Sequence, residues 1–244
     1  MAKLHGYKAL VTGASSGIGL GIAKAFIEEG ATVINLDRQS TRQDNLGENF
    51  IFCKCDLYNP EEIKKAYEFV NEKFNGSLDI LVNSAGLGNY PTIETVTPEQ
   101  FDEIFHILLR APMLLTRYCC NLLKKSKNPS IANISSASGL NLDTKQFLYS
   151  IAKEGLIKFS RITAKSLTYL RCNCIMPGFI ETPIFEKAPA GMFDLEKVAQ
   201  MLPVKRMGQP ADIANLVVYL SSEDGTYIDG ASIVVDGGLV AMMQ

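Results

Sequence analysis

The order of apolar and amphipathic segments predicts an α/β protein: a single doubly wound, parallel sheet flanked by helices. Short apolar runs alternate with longer amphipathic ones, as strands joined by crossover helices do. The first apolar run leads directly into a glycine-rich loop and then a helical stripe. The chain has 244 residues, 47% hydrophobic and 20% charged, enough to bury a large core.

Residues 8–12 form the first expected strand. Ile18, Ile22 and Phe26 follow at helical spacing, and Gly30 is a natural stop. Strands are expected at 31–37 and 49–55. Residues 39–48 between them are polar without an apolar stripe, so helical cover should be reduced there. Asn59-Pro60-Glu61-Glu62 opens a helix with a cap, a proline at its first position and acidic residues at the positive dipole end. A strand at 78–83 precedes Thr97-Pro98-Glu99-Gln100, a capping box that starts a helix running to the region of Leu123. Further strands are expected at 130–135, 171–176 and 232–235, with helices at 149–167 and 211–220. No repeat or low-complexity linker interrupts the series, so residues 1–244 are expected to form one domain.

The formal charge of −2 leaves no basic footprint for nucleic acid. No apolar run approaches the roughly 18 residues of a membrane helix. The N-terminal residues run almost at once into a strand-like segment, so no signal peptide is expected. A cytoplasmic protein is expected. The six cysteines fall as 53/55, 119/120 and 172/174, with no CxxC spacing, so reduced apolar thiols and no metal site are expected.

Thr12-Gly13-Ala14-Ser15-Ser16-Gly17-Ile18-Gly19 lies between the first strand and the first helix. Gly13, Gly17 and Gly19 allow a tight turn and a close backbone approach to pyrophosphate. The helix N-terminus, with Ser15, Ser16 and Ile18, supplies N–H donors. Spaced glycines alone are a weak signal, but Asp37 closes the next strand 18 residues after Gly19, where a carboxylate accepts the ribose 2′-hydroxyl of a dinucleotide. That carboxylate repels a 2′-phosphate, while the adjacent Arg38 could hold one. With no basic residue in the loop, NAD(H) is the expected cofactor.

Tyr149 and Lys153 stand at i, i+4 on one helix face, a spacing that nine tyrosines meet readily by chance. The ordered set is more specific. Thr12–Gly19, Asn83-Ser84-Ala85-Gly86, Ser136, Tyr149/Lys153, and Pro177-Gly178 with Thr182 together resemble the short-chain dehydrogenase/reductase family over nearly the whole chain. The resemblance implies a Rossmann-type fold and hydride transfer between a secondary alcohol and nicotinamide. It implies Tyr149 as acid/base, Lys153 as the group that lowers its pKa and holds the nicotinamide ribose, and Ser136 as hydrogen-bond partner of the substrate oxygen. Ser135 competes for that last role. It also implies adenine contact at Asp56 and Leu57, a cofactor-lining segment at Asn83, Ala85 and Gly86, and carboxamide contacts at Ile180 and Thr182 beyond Pro177 and Gly178. For Asp56 an Asx turn at a strand end is the plain alternative.

One departure stands out. Where the family usually carries an asparagine that helps hold a water linking the lysine to solvent, this chain has Leu108, which can neither donate nor accept through its side chain. Another proton path, a slow enzyme, or a nucleotide-binding scaffold without turnover would each account for it.

Segments 140–147 and 183–202 are expected to cover the substrate, the latter as a lid. Leu140, Leu142, Phe147, Ile184, Phe185 and Phe193 suit an apolar alcohol/ketone pair, although such residues also pack on cores. A 3-oxoacyl thioester and a cyclic dihydrodiol are the alternative substrates. The resemblance further implies a homotetramer formed through helices 97–123 and 149–167.

Overall fold

The computed structural model describes residues 2–40, 46–88, 90–140, 146–189 and 191–242. Seven parallel strands form one sheet: β1 (Lys8–Thr12), β2 (Thr32–Asp37), β3 (Phe50–Lys54), β4 (Ile80–Asn83), β5 (Ser130–Ile134), β6 (Arg171–Pro177) and β7 (Ser232–Val235). Their spatial order is β3-β2-β1-β4-β5-β6-β7. The order reverses between β1 and β4, and in such sheets that reversal opens a crevice beyond the strands' carboxyl ends.

The helices are α1 (Gly17–Glu28), α2 (Pro60–Lys73), α3 (Pro98–Phe105), α4 (Ala111–Leu123), α5 (Phe147–Ser166), α6 (Leu195–Met201) and α7 (Pro210–Ser221). Strand alternation divides the core in two. Ala9 and Val11 of β1 join Ile22 and Phe26 of α1 and Ile213 and Val217 of α7. Leu10 points the other way, with Ile63 and Val70 of α2 and Leu115 and Leu122 of α4. The five central strands are therefore buried on both sides, which is why those segments read as continuous apolar runs, while the edge strands β3 and β7 stay partly open.

The capping box at Thr97 forms as expected, with Gln100 N–H donating to the Thr97 hydroxyl and the Gln100 side chain accepting from Thr97 N–H. The helix beyond it is not uniform, however. Residues His106–Arg110 form a π turn, closed by Ala111 N–H donating to the His106 carbonyl. Pro112 supplies the reason. It has no N–H for the carbonyl four residues back, at Leu108, and its ring would collide with that carbonyl in a regular helix. The described residues between β2 and β3 form no helix, in line with the expected reduction.

Candidate functional site

Backbone and side-chain bonds fix the glycine loop from below. Gly13 N–H donates to the Leu36 carbonyl at 2.9 Å. Gly13 takes φ +71°, and a Cβ there would come 2.8 Å from Ala85 Cα. Gly19 has no room either, since its Cβ would meet the Gly13 carbonyl oxygen at 2.4 Å. Thr12 and Asn35 complete the frame. The Thr12 hydroxyl accepts from the N–H groups of Ser84 and Ala85, both at 3.0 Å, and so ties the segment holding Asn83, Ala85 and Gly86 to β1. Fully buried Asn35 accepts from Ala14 N–H at 2.9 Å and donates to the Ser15 hydroxyl at 2.9 Å. The sequence reading missed Asn35; its signal was one polar side chain inside the apolar run Thr32–Asp37.

Ser16 is the N-cap of α1 but makes no side-chain cap bond, and the helix has no acidic residue in its first turn. The first N–H groups of α1, including those of Gly17, Ile18 and Gly19, are thus open to an anion brought against the loop, and the pyrophosphate of a nicotinamide dinucleotide fits there. Asp37 sits beside this loop, accepting from Ser15 N–H and Gln39 N–H, each at 3.3 Å.

Asp56 makes the Asx turn anticipated as its plain alternative, accepting from Tyr58 N–H at 3.0 Å. Leu57 is buried in the core beside α2. A cavity of about 310 Å³ lies beside them, lined by Arg38, Asp56, Tyr58, Glu99, Gln100, Glu103 and Ile107.

The segment after β6 reaches the loop from the other side. Gly178 packs so closely that a Cβ would come 2.7 Å from Asp236 Cβ. Ile180 is buried and pairs with Gly208, and the Thr182 hydroxyl donates to the Ile180 carbonyl at 3.3 Å. A Cβ on Gly17, where φ is +54°, would lie 3.2 Å from Thr182 Cβ. Residues 177–182 and the glycine loop therefore share one cleft.

Tyr149 and Lys153 project from successive turns of α5, with the Lys153 Nζ 5.6 Å from the Tyr149 ring centre. Lys153 is buried and donates to the Ile134 carbonyl at 2.8 Å. Burial pushes its pKa down to about 8, and burial pushes the Tyr149 phenol up to about 12. A hydrogen bond from Ser136 works against that rise, whereas nearby Tyr90 adds to it. The competition between the two serines is resolved by direction. Ser135 Oγ donates to the Lys153 carbonyl at 2.7 Å, so Ser136 alone faces Tyr149. A tight turn holds Ser136, whose hydroxyl accepts from Ser138 N–H at 3.1 Å.

Leu108 is 1% exposed and packs with Ile104, Ile107, Leu148 and Ala152, against which Leu87 and Tyr149 also rest. The wall next to the candidate site is apolar here. Of the proposed covering residues, Leu142 and its neighbours at 141–145 lie outside the described residues. Phe185 and Phe193 are described, and they gather with Phe179 and Tyr90 in an aromatic group. Among the described residues no three His, Cys, Asp or Glu side chains group to hold a metal, and no helix is long and apolar enough to cross a membrane. All six cysteines are free.

Residues 13–240 match the family model adh_short_C2, described as enoyl-(acyl carrier protein) reductase. The 3-oxoacyl-acyl-carrier-protein reductase FabG of Thermotoga maritima is 34% identical, over 98% of this chain and 99% of that protein. The ligand-free aldohexose dehydrogenase of Thermoplasma acidophilum superposes with a TM-score of 0.89 at 29% identity, covering 98% of this chain and 96% of that one. L-sorbose reductase from Gluconobacter frateurii, solved with NADPH and L-sorbose, gives 0.90 at 31% identity, with 98% and 99% covered.

Proposed function

This chain belongs to the short-chain dehydrogenase/reductase family, and we propose that it is an NAD(H)-dependent oxidoreductase interconverting a secondary alcohol and a ketone. The observation that carries the reading is the meeting of Ser136, Tyr149 and Lys153, with Ser136 hydrogen-bonded to Tyr149 and the Lys153 Nζ 5.6 Å from its ring centre.

The nicotinamide cofactor supplies or accepts the hydride. The chain handles the proton and the orientation. In reduction, Tyr149 Oη gives its proton to the forming alkoxide; in oxidation it takes the alcohol proton. Ser136 Oγ holds the same substrate oxygen. Lys153, with its Nζ 5.6 Å from the Tyr149 ring centre, would favour the phenolate electrostatically when protonated, while the Ser136 hydrogen bond works against the rise that burial imposes. The backbone of residues 13–19 and the N-terminus of α1 would hold the pyrophosphate. Asn83, Ala85 and Gly86 would line the nicotinamide side, and Pro177, Gly178, Ile180 and Thr182 would hold its carboxamide.

Charge favours NAD(H) over NADP(H). Asp37 would accept a ribose 2′-hydroxyl. Beyond it, Arg38 shares its cavity with three carboxylates, Asp56, Glu99 and Glu103. A 2′-phosphate would meet four acidic groups and one guanidinium there. One relative is solved with NADPH, so the preference for NAD(H) rests on these residues alone.

Leu108 supports a second reading, a nucleotide-binding scaffold without turnover. The intact Ser136–Tyr149–Lys153 arrangement favours the enzyme. A 3-oxoacyl thioester or a cyclic dihydrodiol remains as alternative substrate. A cytoplasmic homotetramer completes the reading, supported by six free thiols and by exposed Phe101, Met113, Ile151 and Ile162 on the two long helical segments. Light scattering should give four times the chain mass; a monomer would exclude it. Residues 183–202 act as the lid, and NADH should protect them from proteolysis.

The deciding experiment follows nicotinamide absorbance with NADH and NADPH across ketones, β-ketoesters and cyclic substrates. Tyr149→Phe serves as control. Turnover with NADH that disappears in the variant supports the enzyme; folded protein that binds NADH but turns over no ketone favours the scaffold.

A further inference from the structure

The aromatic residues around the lid are arranged as a connected chain rather than a scatter. Phe193 has three ring neighbours: Phe185 at 5.4 Å, Phe179 at 6.1 Å and Tyr90 at 6.2 Å between centroids. All three contacts are edge-to-face, with interplanar angles of 64° to 72°. Phe179 follows β6, Phe185 and Phe193 belong to the lid, and Tyr90 comes from the loop after β4. The Phe193–Tyr90 contact is therefore where the lid meets the opposite wall of the cleft.

Tyr90 is held at that wall by close packing. A Cβ on Gly88 would lie 2.5 Å from Tyr90 Oη and 2.9 Å from its Cζ, so the phenol end of the ring rests against Gly88. The same loop anchors at Leu87, which rests on the Ile104–Leu108–Leu148 cluster together with Tyr149. Burial raises the Tyr90 phenol, and Tyr90 in turn pushes the Tyr149 phenol up, which places the two phenols in each other's field.

We infer that Tyr90 and Phe193 form an aromatic clamp beside Tyr149, and that this clamp selects an uncharged carbon ring that carries the reacting carbonyl. The inference rests on the proposed site but adds its substrate class and two specificity-determining residues. An apolar ring gains contact against both aromatic side chains that an open-chain, charged group does not. A carboxylate in the same place would lose hydration with only ring faces, which carry partial negative charge, to replace it. Tyr90 acts mainly through its ring, because the contact to Phe193 is a ring contact; its hydroxyl is turned onto Gly88.

The chain contains no tryptophan, so Phe193→Trp installs a single emitter in the clamp while keeping an aromatic ring there. This protein, saturated with NAD⁺ so that a ketone cannot react, is titrated with cyclohexanone and with acetoacetate while emission is followed. Cyclohexanone should give a saturable change and bind at least tenfold more tightly than acetoacetate. Adding Tyr90→Phe should leave that affinity within about twofold, and adding Tyr90→Ala should weaken it at least tenfold while NADH binding is unchanged. The inference is overturned if acetoacetate binds as tightly as cyclohexanone, if Tyr90→Ala binds cyclohexanone like the parent, or if cyclohexanone leaves the emission unchanged. If Tyr90→Ala loses NADH binding as well, Tyr90→Leu decides by the same tenfold criterion. Wild-type turnover of cyclohexanone with NADH runs in parallel: selective binding without turnover sinks the proposed reaction and leaves the clamp standing.

Discussion

The ammonium of Lys153 is bonded to the carbonyl of Ile134 at 2.8 Å, so the last residue of β5 fixes the one buried cation of α5. The strand thereby sets how far that charge stands from the Tyr149 ring one helical turn earlier. Burial drives the two titrating groups at this end of the sheet apart, the Tyr149 phenol up to about 12 and the Lys153 ammonium down to about 8.

Tyr149→Phe is expected to lower turnover by about 10²–10⁴-fold, the span of lost acid/base catalysis, with NADH affinity intact by fluorescence titration. Alcohol oxidation needs the phenolate, and burial pushes this phenol up to about 12, so oxidation should climb with pH between 7 and 10. Ketone reduction needs the phenol and should stay flat over that range.

Lys153→Met should change the pH dependence of stability. Between about 8 and its ordinary 10.5, Lys153 is neutral in the folded protein and protonated in the unfolded chain. The unfolded chain then binds the extra proton, and wild-type stability rises with pH across that window. Below it the folded protein carries the full penalty of a buried ammonium, which methionine lacks. The difference in Tm should favour the variant most at pH 7 and shrink by about 5 °C toward pH 10, read by calorimetry.

Asp37→Ser should relax cofactor choice. Removing the carboxylate leaves Arg38 to meet a 2′-phosphate, so the NADH-to-NADPH ratio of kcat/KM should fall at least about tenfold, equivalent to ~1.4 kcal/mol of discrimination.

Leu108→Asn would put an amide into the cluster of Ile104, Ile107, Leu148 and Ala152. Losing the apolar side chain and burying an unpaired amide should cost about 2–4 kcal/mol, seen as a lower urea midpoint. Turnover should not rise, because Leu108 is enclosed by apolar neighbours rather than by groups able to complete a relay.

Asn35→Leu should leave Ala14 N–H without its acceptor and the Ser15 hydroxyl without a donor. About 1–3 kcal/mol of stability should go with the buried N–H. NADH should bind at least about threefold more weakly by fluorescence titration, although Asn35 need not touch the cofactor.

Much of the architecture was legible because parallel strands buried on both faces leave continuous apolar runs and because caps announce helices chemically, as Thr97 and Asn59 do. The site was legible where function needs a fixed spacing along one element, as for Tyr149 and Lys153, or a residue without a side chain, as at Gly13 and Gly19. It was less legible where partners meet across the sheet. Asn35 beneath Ala14 and the Thr12 hydroxyl beneath Ser84 depend on strand register, which no local pattern records. Ser135 and Ser136 are neighbours of identical chemistry, and only their directions, Ser135 toward the Lys153 carbonyl and Ser136 toward Tyr149, tell them apart. The Tyr90–Phe193 contact joins residues about a hundred positions apart, with no periodicity linking them. The irregular helix did have a sequence mark, Pro112, inside a pattern otherwise read as one helix through Leu123.

That π turn has a consequence for helical phase. One i→i+5 turn stores a surplus residue within an unbroken rod, and each residue of a helix subtends about 100°. The face that leads through Ile104 to Tyr149 is therefore not continued by Ala111, Leu115 and Leu122, which are swung round beneath the sheet against α2. A single wheel cannot describe residues 98–123. The chain uses one added residue to make a continuous rod serve two unrelated surfaces, one facing the candidate site and one facing the core.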